Sequence, residues 1–229
     1  MREHMIKTFF ILIMLCNIFL TSLSFSQVIG VSYDWRKTVD KEGIQVFSSK
    51  VQNSKFRAVR AQMMIRGEIS NLVALFEDTE NCSNWASLCK EVSLVKTIAN
   101  DGYFVYVLNA VTFPVADRDL IMKITWHKDV TTGKLTMNSQ AVENYQGVPK
   151  KNGVVRINYA ITQWHFTPQP NGYVLVESFT HVDPNGAVPA WIVNTMSKNA
   201  PFRSMKKIRK IIQSGKYNNA TLNLPAHYL

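Results

Sequence analysis

Acidic residues are scarce in this 229-residue sequence, in which 16 Asp and Glu stand against 26 Lys and Arg, for a net charge of +10. No acidic residue follows Asp183. Basic residues do follow it, and they are Lys198, Arg203, Lys206, Lys207, Arg209, Lys210 and Lys216. Clustered positive charge favours contact with an anionic surface. The C-terminal end is therefore expected either to meet an anionic membrane or to form a solvated helix face.

Cysteine is also rare, with three residues in the chain. Cys16 lies inside an apolar run and not at its end, which disfavours lipid attachment. Cys82 and Cys89 are able to pair in an oxidising compartment, but their spacing leaves a disulfide and two free thiols equally open. Because no second Cys pair or His pair accompanies them, no metal site is predicted.

The longest apolar run, Phe9 to Leu20, is shorter than the roughly 20 residues that span a bilayer. The basic residues Arg2 and Lys7 precede this run, and the small residues Ser24 and Ser26 follow it at the spacing of a cleavage site. This pattern predicts a signal peptide over residues 1–26, with a retained anchor as the weaker alternative. We expect export to a periplasm or secretion, one domain over 27–217, and a loose tail over 218–229.

Motifs of common enzymes are missing: there is no Gly-x-Ser-x-Gly elbow, zinc-protease helix, phosphate loop or dinucleotide fingerprint. His127, His165 and His181 fall in predicted strands without metal-ligand spacing, so a structural role is expected for each. The sequence predicts no cofactor, no catalytic residue and no nucleic-acid partner. An enzyme is the alternative hypothesis, with Glu177 or His181 as the acid or base to test.

Apolar stretches separated by turn-forming residues predict about eight β-strands. The predicted strands are Gly43 to Lys50, Lys55 to Arg66, Val92 to Ile98, Tyr103 to Phe113, Leu120 to Trp126, Lys134 to Glu143, Val154 to Phe166 and Tyr173 to Val182. Ser70 is expected to cap a short helix that leads towards Trp85.

Several predicted strands are apolar on both faces, as in Tyr103 to Val111, so both faces of the sheet must be covered. Apolar residues at helical spacing predict a long amphipathic helix from Val188 to Ile212. Pro189 suits its first turn, whereas Pro201 is expected to kink or break it. The fold class is therefore α+β.

Two charged residues interrupt apolar strands. Arg118 stands next to Asp119 at the start of one strand, and Glu177 lies inside another. Each is expected either to be paired for structural reasons or to act as a polar anchor in an apolar cavity. Such an anchor would orient the head of a lipid whose tail is held by apolar walls, and Arg118 is the better candidate.

The order of elements resembles the START domain, the lipid-transfer family related to steroidogenic acute regulatory protein, over Tyr33 to Gln213. The matching segments are Asp34-Trp35, Gly43 to Val46, Asn84-Trp85, Lys90 to Val92, Pro114 to Leu120 and Asp183 to Asn194. The resemblance implies a helix-grip fold, in which a curved antiparallel sheet wraps around the C-terminal helix with a ligand tunnel between them. It also implies that the last helix and nearby loops act as a lid.

In sterol-binding members of that family, the arginine at Arg118 faces the cavity, partnered by an acidic residue just before the tryptophan. Asn84 occupies the acidic position here. A polar lipid or fatty acid thus becomes at least as plausible a ligand as a sterol. The residues expected to contact the ligand are Arg118, Asn84, Trp85, Tyr106, Glu177, Met196 and Ala200.

Overall fold

A computed structural model describes residues 32–99, 101–111, 115–222 and 224. The predicted signal peptide, residues 1–26, lies outside the described residues. From Asp34 onward the chain forms one unit.

One sheet of ten strands dominates the described part of this unit. The strands are β1 (Arg36–Lys41), β2 (Ile44–Ser49), β3 (Ala58–Arg66), β4 (Cys89–Ile98), β5 (Gly102–Asn109), β6 (Asp117–Lys128), β7 (Leu135–Ala141), β8 (Val154–Arg156), β9 (Tyr159–Gln169) and β10 (Tyr173–Asp183). Their order across the sheet is β1-β2-β3-β10-β9-β7-β6-β5-β4, with antiparallel neighbours, and β8 pairs in parallel with the start of β6.

The α-helices of the described residues are α1 (Ile69–Glu77), α2 (Cys82–Trp85) and α3 (Ala190–Gln213). Helix α1 begins one residue before Ser70, so the prediction of Ser70 as its cap is wrong. Helix α3 confirms the predicted C-terminal helix. It continues through Pro201 without a break.

Two strand predictions needed correction. The predicted strand Val154 to Phe166 is in fact two strands, because Ile157 donates its backbone N–H to Asp119 at 2.8 Å before the chain crosses to β9. Strand β1 was not predicted. Its sequence Arg-Lys-Thr-Val-Asp-Lys is mostly exposed at the edge of the sheet and therefore lacks an apolar alternation.

The two faces of the sheet carry separate apolar clusters. The face that we call the inner face packs against α3 and contributes the larger cluster. Its positions include Val59 to Ile65 on β3, Leu120 to Trp126 on β6, Leu135 to Ala141 on β7, Ala160 to Phe166 on β9 and Val174 to Val182 on β10, at every second residue. The opposite, outer face carries Tyr106, Leu108 and Ile121, which the segment from Val142 to Val154 covers.

The second half of α3 fixes the helix to the inner face. Met205, Ile208 and Ile212 are its fully buried residues. Gly67, at the end of β3, lets the helix approach closely, since a Cβ there would lie 2.9 Å from Ile212 Cγ2. In contrast, no residue of α3 before Met205 is fully buried.

Part of the segment predicted to be a loose tail packs on the core. Leu222 and Leu224 contact the inner-face cluster, and Leu224 is buried. Just before them, the Tyr217 carbonyl accepts a hydrogen bond of 2.7 Å from Asn71 Nδ2. Among the described helices, none is both long enough and apolar enough to cross a membrane.

Candidate functional site

Small side chains occupy the middle of the inner face on three neighbouring strands. We call them the small-residue patch, and they are Ser139 and Ala141 on β7, Ala160 and Thr162 on β9, and Ser178 and Thr180 on β10. Ser139, Thr162 and Thr180 lie in one row, because each is the register partner of the next across β7, β9 and β10. Ser178 lies beside Trp164 in the adjacent row.

The first half of α3 passes at the level of this patch. Asn194 Oδ1 accepts a hydrogen bond from the Arg57 backbone at 3.2 Å, and the Arg209 guanidinium lies 3.8 Å from Met63 Sδ. A helix rises about 22 Å from Asn194 to Arg209, and a strand rises about 20 Å from Arg57 to Met63, so α3 and β3 advance together. Because Val59 pairs with Thr180, the helix residues before Met205 lie level with the small-residue patch.

Met196 and Ala200 belong to this first half of α3. Both are partly buried. They share a helix face with Ser204, whose Oγ accepts a hydrogen bond from the Ser87 backbone at 3.0 Å. This face is therefore turned towards the segment that follows α2, where Trp85 ends the helix.

Five aromatic rings line the same side of the sheet. Phe76 of α1 and Trp85 of α2 have ring centroids 4.4 Å apart, and Phe76 lies 4.8 Å from Trp164 and 5.3 Å from Phe166. Trp126 stacks on Phe166 at 6.2 Å. These rings form an apolar wall next to Ser178 and the rest of the small-residue patch.

The indole N–H of Trp85 is buried and has no hydrogen-bond partner among the described residues. Trp126 differs, because its Nε1 donates to Glu77 Oε1 at 3.1 Å. A buried donor without an acceptor costs about 1–3 kcal/mol. Trp85 therefore offers a donor that a ligand can satisfy.

Two hydroxyls of the small-residue patch are also open to a ligand, although neither oxygen is completely buried as Trp85 Nε1 is. Ser139 is 4% exposed and Ser178 is 7% exposed, and neither hydroxyl is hydrogen-bonded within the described part of the chain. Thr162 and Thr180, by comparison, bond each other at 3.0 Å. Ser139 and Ser178 were missed by sequence reasoning, since an isolated serine in a strand carries no signal of its own.

Cys82 and Cys89 form a disulfide, with their Cα atoms 5.9 Å apart. The bond joins the start of α2 to the start of β4 and so closes a short loop around Trp85. On loop length alone, it stabilises the fold by about 2.5 kcal/mol through the entropy of the unfolded chain. It also restricts the backbone that positions the Trp85 ring.

Arg118 is buried on the inner-face side of β6, but it is fully engaged in holding a loop. Its guanidinium donates to the carbonyl oxygens of Ala116, Pro184 and Asn185. Burial lowers the pKa of this guanidinium, and Asp117 nearby raises it in part. Of the two roles expected from the sequence, these contacts match the structural one, in which Arg118 ties β6 to the loop that leads into α3.

Asp119 points the opposite way from its neighbour Arg118. On the outer face it accepts two hydrogen bonds from Arg156, at 2.7 and 3.0 Å, and both side chains are almost completely buried. Arg156 also donates to the carbonyl oxygens of Val148 and Pro149. This ion pair therefore fastens the outer covering segment to the sheet.

Three other predicted contact residues do not lie with the small-residue patch. Glu177 alternates with Val176 and Ser178 and so lies on the outer face, where burial raises the pKa of its carboxyl and Arg60 opposes that shift. Tyr106 is buried in the outer cluster. Asn84 is exposed and donates to Asn81 Oδ1 at 2.7 Å. The structure therefore places Glu177 on the opposite face of the sheet from the small-residue patch.

The outer face carries the histidines as well. His165 shares a 2.9 Å hydrogen bond with Thr136, and burial, helped by Lys134, lowers its pKa to about 4. His181 lies 3.2 Å from the Ser54 hydroxyl. No group of three potential metal ligands occurs within the described residues.

A groove of about 400 Å³ opens on the outer side of the sheet, where β7 and β9 separate. Lys123, Gln140, Glu143 and Tyr159 are among its lining residues. Its lining includes both polar and apolar side chains, among them Ala141 and Ala160 at the end of the small-residue patch. Lys123 is already paired with Asp101 at 2.7 Å.

A sheet that grips one long C-terminal helix, with aromatic rings and small residues between them, defines a helix-grip domain. Residues 23–217 match the family model of the START domain. The chain therefore belongs to the START domain family, whose members are lipid-binding and lipid-transfer domains. The match confirms the resemblance that the sequence motifs indicated.

Known relatives agree with this assignment. An uncharacterized protein of Pseudomonas aeruginosa is 28% identical over 180 residues, covering 79% of this chain and 87% of its own length. The crystal structure of a STAR-related lipid transfer protein fragment from Xanthomonas axonopodis is 27% identical, with a TM-score of 0.70, covering 78% of this chain and 98% of that one. Human StAR-related lipid transfer protein 5 shares the fold, with a TM-score of 0.70 at 15% identity over 82% of this chain and 89% of that one.

Proposed function

We propose that this protein binds one lipid, or a similar apolar molecule, between the small-residue patch and the first half of α3. The observation that carries the proposal is the buried, unpartnered Trp85 Nε1 on the same side of the sheet as the small Ser139 and Ser178 side chains. Native interiors rarely leave such a donor unsatisfied, so its presence next to side chains too small to fill the space favours a ligand site. The role is binding or transfer, without catalysis.

The energetics of the site suit an apolar ligand. Each Å² of apolar surface removed from water contributes roughly 25 cal/mol. The aromatic wall formed by Phe76, Trp85 and Trp164 supplies such surface next to side chains too small to fill the space themselves. Met196 and Ala200, on the helix side, are proposed to close the site over the ligand.

The first half of α3 is also proposed to face an anionic membrane. Trp191 is 70% exposed at its start, and Lys198 and Arg203 are exposed further along. An indole and basic side chains on one short segment suit a lipid headgroup region, where each basic residue near the surface contributes about 1 kcal/mol. Transfer would then occur where α3 meets the membrane.

Export is proposed on two grounds. One is the N-terminal pattern of a signal peptide, and the other is the Cys82–Cys89 disulfide, since disulfides persist in oxidising compartments. A periplasmic or secreted location follows. Detection of the mature protein in the periplasmic or culture fraction, beginning at Gln27, would support it, whereas retention in the cytosol would contradict it.

Native mass spectrometry of the protein purified from its own source tests lipid binding. We expect a co-purified apolar molecule at close to one per chain, identified after organic extraction. Ser139→Leu should displace it by filling the patch, while the matched control Gln140→Leu, which changes the next side chain on the outer face, should retain it. Protein that is empty and takes up nothing from a mixed lipid pool, or an unchanged occupancy in Ser139→Leu, would contradict the proposal.

A further inference from the structure

The polar groups left open at Trp85 and at the small-residue patch are all uncharged, and one of them is donor-only. We infer that the ligand carries an uncharged polar group with a hydrogen-bond acceptor, such as the oxygen of an ester, ketone, ether or alcohol. This inference rests on the proposed function and specifies its ligand class. It disfavours fatty acid anions and phosphate-headed lipids at this site.

Trp85 sets the acceptor requirement. An indole Nε1 donates a hydrogen bond and accepts none. In this structure it is buried, and no described residue satisfies it, although the equivalent donor of Trp126 is satisfied by Glu77. A ligand oxygen is the partner that would relieve this buried donor.

The two serine hydroxyls offer further hydrogen bonds to an uncharged polar group of the ligand. Ser178 lies beside Trp164, which packs 6.0 Å from Trp85 between ring centroids, and Ser139 lies one row further along the strands. Each hydroxyl can donate to a ligand oxygen or accept from a ligand hydroxyl. The open polar groups thus lie around the aromatic wall and not at a distant rim.

The cations at the inner-face positions of β6 lie at the two ends of that strand. Arg118 is at one end, where its guanidinium already donates to three backbone carbonyl oxygens, and Lys128 is at the other, four residues beyond Ile124, the register partner of Ser139. Arg57 lies just before β3, where its Nε donates to Ser48 at the edge of the face. A buried carboxylate or phosphate needs a charged or multiply hydrogen-bonded partner, which this part of the site lacks.

A matched pair of ligands tests the inference on the full-length mature protein. Methyl oleate and oleate share one tail and differ in whether the head is neutral or ionised. At pH 8, competition followed by native mass spectrometry should favour methyl oleate by about tenfold or more. A preference for oleate would overturn the inference while leaving the proposed function intact, whereas binding of neither would overturn the proposed function itself.

Variants identify the donor. Trp85→Phe should weaken methyl oleate binding by about tenfold, because the aromatic wall remains and the N–H is lost, and should leave octadecene binding unchanged. Trp35→Phe, at a tryptophan that packs on Phe179 of the outer face, is the matched control and should change neither. If Trp85→Phe is poorly folded by near-ultraviolet circular dichroism, Ser178→Ala provides the second test, with a smaller loss for the ester alone. Equal losses for ester and hydrocarbon, or no loss, would overturn the assignment.

Discussion

The two faces of the sheet differ in whether their polar side chains find hydrogen-bond partners within the protein. On the outer face, Arg156 pairs with Asp119, His165 with Thr136, and Gln163 donates to Asn138. On the inner face, the buried Trp85 N–H has no hydrogen-bond partner among the described residues, and the small side chains of Ser139 and Ser178 lie on the same side of the sheet.

This difference separates positions that contribute to stability from positions that are open to a ligand. The outer-face pairs named above are satisfied within the protein, so they contribute to stability, although the buried Tyr106 hydroxyl of the outer cluster has no hydrogen-bond partner among the described residues. On the inner face, Trp85, Ser139 and Ser178 keep polar groups open to another molecule, so removing these groups should cost ligand affinity and little stability. The comparison is open to experiment because it assigns a different consequence to substitutions on neighbouring positions of the same strands.

The largest effect is expected at the outer ion pair. Asp119→Asn leaves Arg156 buried without its counter-charge, and breaking such a pair costs about 3–5 kcal/mol of the free energy of unfolding. Urea denaturation measures the loss. A loss below about 1 kcal/mol would contradict the claim that the polar pairs of the outer face contribute to stability.

A related contrast runs along α3. Ile208 in the second half is fully buried, so Ile208→Ala should lower the free energy of unfolding by about 2–5 kcal/mol. Met196, level with the small-residue patch, is only partly buried, and Met196→Ala should cost less than about 1 kcal/mol while reducing lipid occupancy. Equal losses of stability would mean that both halves of the helix pack alike.

Acid should destabilise the protein through His165. The pKa of His165 is about 4 in the folded state and near 6.5 in the unfolded state. Above pH 6.5 the side chain is neutral in both states, so titration of His165 does not lower the free energy of unfolding there. Between pH 6.5 and pH 4 the unfolded state binds a proton at His165 that the folded state does not bind. This lowers the free energy of unfolding by up to about 3 kcal/mol at pH 4. Glu177, whose folded pKa is raised, takes up its proton earlier in the fold and offsets part of this loss.

The measurement is the free energy of unfolding at pH 7 and pH 4.5 for the wild type and His165→Gln. The variant should show a weaker loss on acidification. His127→Gln, at an exposed histidine, should keep the wild-type dependence. Identical pH dependence in wild type and His165→Gln would contradict this account of the outer face.

The smallest effect on stability is expected on the inner face. Ser178→Ala removes a hydroxyl without a described partner and should change the free energy of unfolding by less than about 0.5 kcal/mol. Asn138→Ala, which leaves the outer Gln163 without its acceptor, should cost about 1 kcal/mol. Ligand affinity should respond in the reverse order. If Ser178→Ala is the more destabilising of the two, the hydroxyl has a structural role.

Much of the fold could be predicted from the sequence. The strand patterns and the long C-terminal helix follow from local periodicity, and the START motifs supplied the topology. The break between β8 and β9 could not be predicted, because it depends on pairing with Asp119 far away in sequence. Strand β1 could not be predicted from alternation, because an exposed edge strand needs no apolar pattern.

The candidate site was less accessible to prediction. Where both faces of a strand are apolar, alternation separates Glu177 from Ser178 but does not say which of them faces the helix. Arg118 was singled out by its place in an apolar strand, yet its carbonyl partners Pro184 and Asn185 lie in a loop more than sixty positions away in sequence. Trp85 was chosen through a family motif, whereas its unpartnered N–H is a property of packing alone.

Photo-crosslinking tests the location of the ligand most directly. A fatty ester carrying a diazirine on its tail would be bound to the full-length mature protein, activated by light, and mapped by peptide mass spectrometry. We expect labelled peptides that contain Met196 to Ala200 and Ser178 to Thr180. Labels confined to the outer groove around Lys123 and Gln140 would contradict it.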